Sequence, residues 1–390
     1  MGLKSWIEIS EERLKGNFRA VAEAVGTGTE VLAVVKANAY GHGAEVCSTA
    51  LARAGAKWLG VADATEGIRV RQALDAAGFV DTKILVMCGL MPEDVEAIET
   101  YRLTPVVWTA EQVGFLRGRV EMPVHVEVDT GMGRQGARPG PELEALLEAL
   151  ATAGLGVDGV MTHFSSAEVA GCERTRDQER QFEAAVAQVW ARGLRPGWVH
   201  AGSSSSVDNP SPVGPWLADL AKSVGARAMT RSGIALYGYC LPIEGAVGLS
   251  VEGRIRSTLR PVMTWKTRVL DVRAMAAGDG VGYNSTFVAP VPMRLALLPV
   301  GYSDGLRREL SSTNEKAGGW VMIGGQDGSM KQAAIVGRIS MNLTMVDVTE
   351  IDGVRVGDEV VLLGDGVTAD DHARIAGTIS YEILCGVRVG

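Results

Sequence analysis

The sequence predicts an α/β protein: a (β/α)8 TIM-type barrel over residues 10–250, followed by a mostly β domain over 251–390. Three observations predict it. Short β-branched runs alternate with longer amphipathic ones from residue 10 to about 250; eight such runs fall in that span; and beyond it the helical periodicity gives way to strand-like runs separated by Gly, Asp and Asn turns. Alternating strand and helix patterns build parallel sheets through crossover helices, and eight such units close on themselves.

In chain order, Trp6-Ile7-Glu8-Ile9 alternates like a strand but precedes the first barrel unit, so a strand over 5–9 is expected to join the C-terminal sheet. Ser10-Glu11-Glu12 then supplies a serine cap and early acidic residues for the first helix. Barrel strands are expected at 31–36, 58–62, 83–87, 104–108, 124–129, 156–163, 198–200 and 228–234. Helices are expected at 44–54, 65–77, 92–100, 141–151 and 174–192, with Pro92 at a first helical position. The Pro/Gly-rich stretch 208–215 reads as a loop. In the second domain, 262–275, 294–302, 320–324, 332–349 and 358–363 are strand-like.

At 390 residues, with 46% hydrophobic residues, the chain can bury a core in each of two domains. A net charge of -8 and the absence of a Lys/Arg-rich run argue against nucleic acid as a partner. No apolar run approaches the roughly 20 residues of a membrane span and the N-terminus lacks a signal-like apolar region, so a cytoplasmic location is expected. The five cysteines are odd in number and form no CxxC pair, which argues against a disulfide framework and a zinc site.

In such a barrel, residues just beyond the C-terminal ends of the strands converge on one site. The first strand leads into Lys36 and Tyr40, the fifth into Asp129-Thr130-Gly131-Met132-Gly133-Arg134, the sixth into Thr162-His163-Phe164, the seventh into His200-Ala201-Gly202-Ser203-Ser204, and the eighth into Arg231-Ser232-Gly233-Ile234. A lysine at the mouth of an apolar strand is poorly hydrated; its neutral amine can attack a carbonyl, or the side chain can simply snorkel to water. Loops after the last two strands of a barrel often cradle phosphate with backbone N–H groups and hydroxyls. A Schiff-base lysine beside a phosphate cradle suggests pyridoxal phosphate.

From about residue 5 to the C-terminus the chain resembles the alanine racemases, fold-type III pyridoxal phosphate enzymes. The likeness rests on Ala33-Val34-Val35-Lys36-Ala37-Asn38-Ala39-Tyr40-Gly41-His42-Gly43, Asp129-Thr130-Gly131-Met132-Gly133-Arg134, Thr162-His163-Phe164, Gly233-Ile234-Ala235-Leu236-Tyr237-Gly238, Gly301-Tyr302-Ser303-Asp304-Gly305 and Gly337-Arg338-Ile339-Ser340-Met341-Asn342. The resemblance implies that Lys36 carries pyridoxal 5'-phosphate and that Tyr283 is a second base, reaching the barrel of a partner chain in a homodimer with shared sites. It implies Arg231 at the pyridine nitrogen; Tyr40, Ser204, Gly233, Ile234 and Tyr381 at the phosphate; and His163 hydrogen-bonded to Tyr283 or Arg231. Arg134 would position the cofactor phenolate and the substrate carboxylate, and Met341 and Tyr302 would line the substrate entrance from the partner chain.

Three departures from the family pattern stand out. Ser203 replaces an asparagine before the phosphate serine, and Asn342 replaces an aspartate after the entrance methionine. Glu127 replaces a lysine that some relatives carbamylate, so it is expected to orient Arg134 directly by a charge-assisted hydrogen bond. The long connection 208–225 and Asn342 leave open a racemase of serine or of broad specificity. A fold-type III decarboxylase is disfavoured by Arg231 and Tyr283, and a non-catalytic pyridoxal phosphate carrier by the whole second domain.

Overall fold

The computed structural model describes residues 4–119, 122–245, 249–326 and 328–389. It divides into two compact units, one of Glu11–Ala39 and Gly43–Arg260, the other of Met1–Ser10, Tyr40–His42 and Pro261–Gly390.

The strand that opens the described chain, β1 (Ser5–Ile9), belongs to the second unit. The first unit is a closed barrel of β2 (Thr29–Val34), β3 (Trp58–Val61), β4 (Lys83–Val86), β5 (Leu103–Val107), β6 (Val124–Glu127), β7 (Val157–Met161), β8 (Trp198–His200) and β9 (Arg227–Ser232). Each strand runs parallel to the next, and β9 closes onto β2 from Thr29↔Ala228 to Ala33↔Ser232. The strands are buried along almost their whole length, as a parallel sheet covered by helices requires; β2 to β5 are mainly apolar, whereas β6, β8 and β9 bury His125, Glu127, His200 and Arg231. The helix Pro141–Ala153 shows how the sequence encodes its elements. Proline occupies its first turn, Leu143, Leu146, Leu147 and Leu150 recur at helical spacing and are buried, and Gly154 ends it in the left-handed region at φ 68°.

One stretch differs from expectation. Residues 208–225 are not a long loop, because Val213–Ser223 is a helix burying Val213, Gly214, Leu217 and Ala221. Pro212 and Pro215 mark its start rather than its absence, since first-turn residues donate no intrahelical N–H bond. A short ladder of β10 (Ile243–Glu244) and β11 (Ser250–Val251) closes the unit.

In the second unit, β1 pairs antiparallel with β12 (Met263–Arg268) in a five-stranded sheet completed by β20 (Glu359–Leu363), β17 (Trp320–Gly324) and β18 (Met330–Ala334). A three-stranded sheet is formed by β13 (Asp271–Met275), β16 (Met293–Leu298) and β19 (Thr344–Asp347), and β14 (Gly280–Val281) pairs with β15 (Phe287–Val288). The strand expected at 332–349 is interrupted between Ala334 and Thr344. The loop there passes so close to Gly301 that a Cβ on Gly301 would lie 2.2 Å from the Ser340 carbonyl oxygen. Two short helices, Ala369–Ala376 and Ser380–Gly386, end the unit. None of the five cysteines is in a disulfide, and no helix among the described residues is long and apolar enough to cross a membrane.

Candidate active site

Lys36 follows β2 and is half-buried. The backbone after it does something that residue types alone do not suggest: Ala37, Asn38, Ala39 and Tyr40 form a left-handed turn, with φ of 53°, 53°, 54° and 52°. Each such non-glycine residue costs roughly 1–2 kcal/mol, so the turn persists only because its surroundings fix it. Ala39 N–H donates to the Val35 carbonyl at 2.8 Å and Gly43 N–H to the Asn38 carbonyl at 3.0 Å. The Asn38 side-chain oxygen accepts from Ala44 N–H at 2.9 Å, and Asn38 N–H donates to Glu66 at 3.1 Å. Lys36 is thereby held at a rigid strand end.

Arg231, at the same rim on β9, is buried and engaged on three sides. Its Nη2 donates to the Thr162 carbonyl at 2.6 Å and to Nδ1 of His163 at 3.3 Å, and its Nη1 to Nδ1 of His200 at 3.3 Å. Desolvation lowers the guanidinium to about 10, with Glu127 opposing the shift, so it stays charged at neutral pH. His163 is pressed down to about 3, by desolvation first and then by the charges of Arg231, Arg134 and Lys36. It is therefore a neutral acceptor, and those three cations are its neighbours. Of the two partners expected for His163, the structure supplies Arg231.

Ser204 organises the loops after β8 and β9. Its Oγ accepts from Gly233 N–H and Ala235 N–H, both at 3.1 Å. With its lone pairs so used, its own hydroxyl hydrogen is left to donate outward. Ser232 Oγ nearby in sequence is buried without a partner, and Ile234 opens the buried turn Ile234–Tyr237. This donor set fits a phosphate oxygen. Ser203 is half-buried, and its N–H donates to Ser206 Oγ at 3.1 Å.

The expected pairing of Glu127 with Arg134 is corrected. The buried Glu127 carboxylate is bound by the Gln135 side-chain amide, which also donates to the Met87 carbonyl at 3.0 Å. Arg134 is exposed in the loop that Asp129 ties down through Gly131 N–H and Gly133 N–H, both at 3.0 Å. Burial raises the Glu127 carboxyl above its usual range, and only through space do Arg231 and Arg134 pull the other way. The physical reason is reach: the carboxylate sits inside the wall, where the neighbouring amide arrives first.

Gln178 is a residue the sequence reading passed over. Buried on the helix Glu173–Ala191, it accepts from Ser165 N–H at 2.9 Å and donates to the His163 carbonyl at 3.0 Å and to Thr130 Oγ1 at 3.3 Å. It shares the inward face with Phe182, Ala185 and Val189, and a lone amide in that apolar stripe was the available signal. Gln178→Ala is expected to lower stability by about 2–3 kcal/mol, because the Ser165 N–H and the His163 carbonyl lose their partner. Urea titration checks this, and an unchanged midpoint would refute it.

The remaining expected residues lie in the second unit. The buried Tyr40 ring is 5.9 Å from that of Tyr381, on the helix Ser380–Gly386. Tyr283 is 67% exposed, at the head of the turn Tyr283–Ser285. Tyr302 and Met341 are also exposed and adjacent: Tyr302 N–H donates to the Ser340 carbonyl at 3.1 Å and Ser303 N–H to the Met341 carbonyl at 3.0 Å. Asn342 is committed locally, donating to Ser303 Oγ at 2.9 Å. One unit thus gathers Lys36, Arg134, His163, Ser204, Arg231, Gly233 and Ile234, and the other holds Tyr40, Tyr283, Tyr302, Met341 and Tyr381.

A (β/α)8 barrel with a lysine, a buried arginine and an oxyanion cradle at its rim defines a class of barrel enzyme. Two family models match the chain: the alanine racemase N-terminal domain over residues 9–241 and the alanine racemase C-terminal domain over residues 262–389. The chain belongs to the alanine racemase family, and it is an isomerase. An alanine racemase of Symbiobacterium thermophilum is 36% identical over 394 residues, covering 98% of this chain and 94% of that protein. The structure of the alanine racemase of Clostridium difficile 630 superposes with a TM-score of 0.83 at 26% identity, covering 99% of this chain and 94% of that one. An alanine racemase from Bartonella henselae, solved with covalently bound pyridoxal phosphate, gives a TM-score of 0.78 at 27% identity over 100% of this chain and 98% of that one.

Proposed function

We propose that this protein interconverts L- and D-alanine with pyridoxal 5'-phosphate held by Lys36, using two bases in a homodimer. What carries the reading is the rim of the barrel, where an amine, a phosphate-fitting hydroxyl and a buried guanidinium meet, as the cofactor's carbonyl, phosphate and ring nitrogen require. When bound, the cofactor supplies a conjugated electron-accepting ring that acidifies the α-carbon of the substrate.

The chain's own groups divide the remaining work. Lys36 Nζ takes or returns the α-proton on one face, and Oη of Tyr283 of the partner subunit does so on the other, since inversion needs a base on each side. Arg231 would stand at the ring nitrogen, where a guanidinium can donate a hydrogen bond but does not give up a proton, and so would limit the charge drawn into the ring and with it side reactions. Ser204, Gly233 and Ile234 would hold the phosphate from the barrel unit, and Tyr40 and Tyr381 are the second unit's candidates for the same group. His163 fixes Arg231 by accepting from it, and Arg134 orients the substrate carboxylate. Tyr302 of the partner subunit and Met341 of the partner subunit would line the entrance. The exposed Tyr283, Tyr302, Met341 and Leu343 are apolar surface that a second copy would cover.

Tyr283→Phe is expected to slow racemisation by roughly 10²- to 10⁴-fold while cofactor absorbance stays in place. Loss of optical activity of L-alanine measures it, and turnover equal to the parent's would end the two-base reading. Asn342 puts an uncharged amide where a carboxylate is usual, which favours wider specificity as a second reading; L-serine turned over as fast as L-alanine would support it.

A further inference from the structure

Arg231 is one end of a polar line that runs through the barrel interior, away from the site. Beyond its 3.3 Å contact with Nδ1 of His200, Nε2 of His200 lies 2.9 Å from Nδ1 of His125, and Nε2 of His125 lies 3.8 Å from Oδ2 of Asp158. Both histidines are wholly buried, whereas the Asp158 side chain is 26% exposed near the start of β7. Lys83, at the start of β4, places its Nζ 3.3 Å from the same Oδ2.

The chemistry of the two ends fixes the direction of the line. A guanidinium can only donate and a carboxylate can only accept. His200 must therefore accept at Nδ1, so its neutral ring carries hydrogen on Nε2. That hydrogen goes to Nδ1 of His125, whose own hydrogen then sits on Nε2, facing Asp158. The reverse order would turn an N–H of His200 against the N–H groups of Arg231. Burial keeps both rings uncharged, and the Asp158 carboxyl is held below its usual range by His125 first and then Lys83.

Packing preserves the geometry. The His125 and His200 rings meet edge to face at 4.9 Å, and Trp58 stands 5.2 Å from His125. Gly159 follows Asp158 on β7, and a Cβ there would come within 2.5 Å of His125 Nδ1, so the space for the ring depends on this glycine.

We propose that Asp158 is a positioning residue for the racemase site, its charge acting along His125 and His200 to strengthen the acceptor that holds Arg231 in place. The Asp158 charge lies 3.8 Å from a His125 Nε2 that has no hydrogen-bond partner, so it acts on that ring through space; the hydrogen bond between the two rings passes the polarisation on and makes Nδ1 of His200 a better acceptor. The same logic lets a buried carboxylate fix the tautomer of a histidine it never replaces in the reaction. The inference rests on the proposed placement of Arg231 at the cofactor ring nitrogen.

The test is ¹⁵N NMR of histidine-labelled, cofactor-loaded enzyme, with the visible absorbance band, kcat and KM. In the parent enzyme, His125 and His200 are expected as neutral Nε2–H tautomers. Asp158→Asn keeps the shape and an acceptor oxygen but removes the charge. It is expected to move the nitrogen signals of both histidines, shift the band, and lower kcat by about tenfold with KM nearly unchanged. Asp158→Glu is expected to restore most of kcat. His200→Gln, whose amide can accept from Arg231 and donate to His125, is expected to retain more activity than His200→Leu. Signals of His200 unmoved in Asp158→Asn, or kcat equal to the parent's, would overturn the proposal. Failure of the parent to show any cofactor band would instead defeat the cofactor reading, while the tautomers still decide the direction of the line.

Discussion

Lys36→Ala is expected to reduce racemisation by about ten-thousand-fold or more, as loss of an essential covalent and proton-transferring group does. Two functions rest on the one amine in the proposed mechanism, so no neighbouring residue restores them. Lys36→Arg is expected to fail equally, since a guanidinium neither condenses with the cofactor nor accepts a proton near neutral pH. The fold, by contrast, should survive. The left-handed turn is held by backbone bonds and by Asn38, none of which involves the lysine side chain, and Lys36 is only half-buried. Unfolding temperature should stay within a few degrees of the parent's. Absorbance after gel filtration with added cofactor, together with the optical assay, measures both properties. A folded Lys36→Ala protein that still binds the cofactor covalently, or still racemises alanine at the parent's rate, would end the assignment.

The barrel was legible because its strands are buried on both faces and so read as apolar runs, from Val31-Leu32-Ala33-Val34 to Val157 and beyond. The helix Val213–Ser223 was not, because Pro212 and Pro215 carry the same local signal at a helix start as in a loop. Ala369–Ala376 and Ser380–Gly386 are too short to show a period. The site separates in the same way. Positions beyond strand ends could be collected by topology, which brought Lys36, His163 and Arg231 to one rim. The left-handed run from Ala37 to Tyr40 could not, since alanine and tyrosine have no preference for positive φ and only tertiary contacts impose it. Glu127 was placed in the barrel wall, but its partner was not legible, because a choice between adjacent Arg134 and Gln135 depends on side-chain reach. His125 lies two residues before Glu127 on the same strand. Strand alternation sends both toward the same face, a relation that the period of two makes legible in the sequence.

Acid is expected to destabilise this protein from about pH 6.5 downward, before its ordinary carboxylates begin to protonate. His372 is held down to about 4 and His163 to about 3, both chiefly by desolvation, and His125 and His200 move in the same direction for the same first cause. An unfolded histidine titrates near 6.5. Between that value and the folded one, the unfolded chain binds protons that the native state refuses, so stability is complete above about pH 6.5 and falls as pH drops toward the folded values. Each such group withdraws roughly 1.4 kcal/mol per pH unit, so His372 alone removes about 2 kcal/mol between pH 6.5 and 5. His163 removes a comparable amount, and the two barrel histidines add to it. Asp158, lowered from its usual range, acts in the same sense in more acid solution. Glu127 and Glu179 oppose it, because their raised carboxyls bind protons in the native state first, but two groups do not offset four. Against a typical total of roughly 5–15 kcal/mol, a loss of this kind weakens the fold measurably between about pH 6.5 and 5. Urea midpoints at pH 7.5, 6 and 5 measure the slope, and His372→Gln should flatten it for the β unit, where that side chain is buried with Nε2 unpartnered. A midpoint constant from pH 7.5 to 5 would show that these histidines titrate normally in the native protein, and the argument for a neutral His163 beside Arg231 would fall with it.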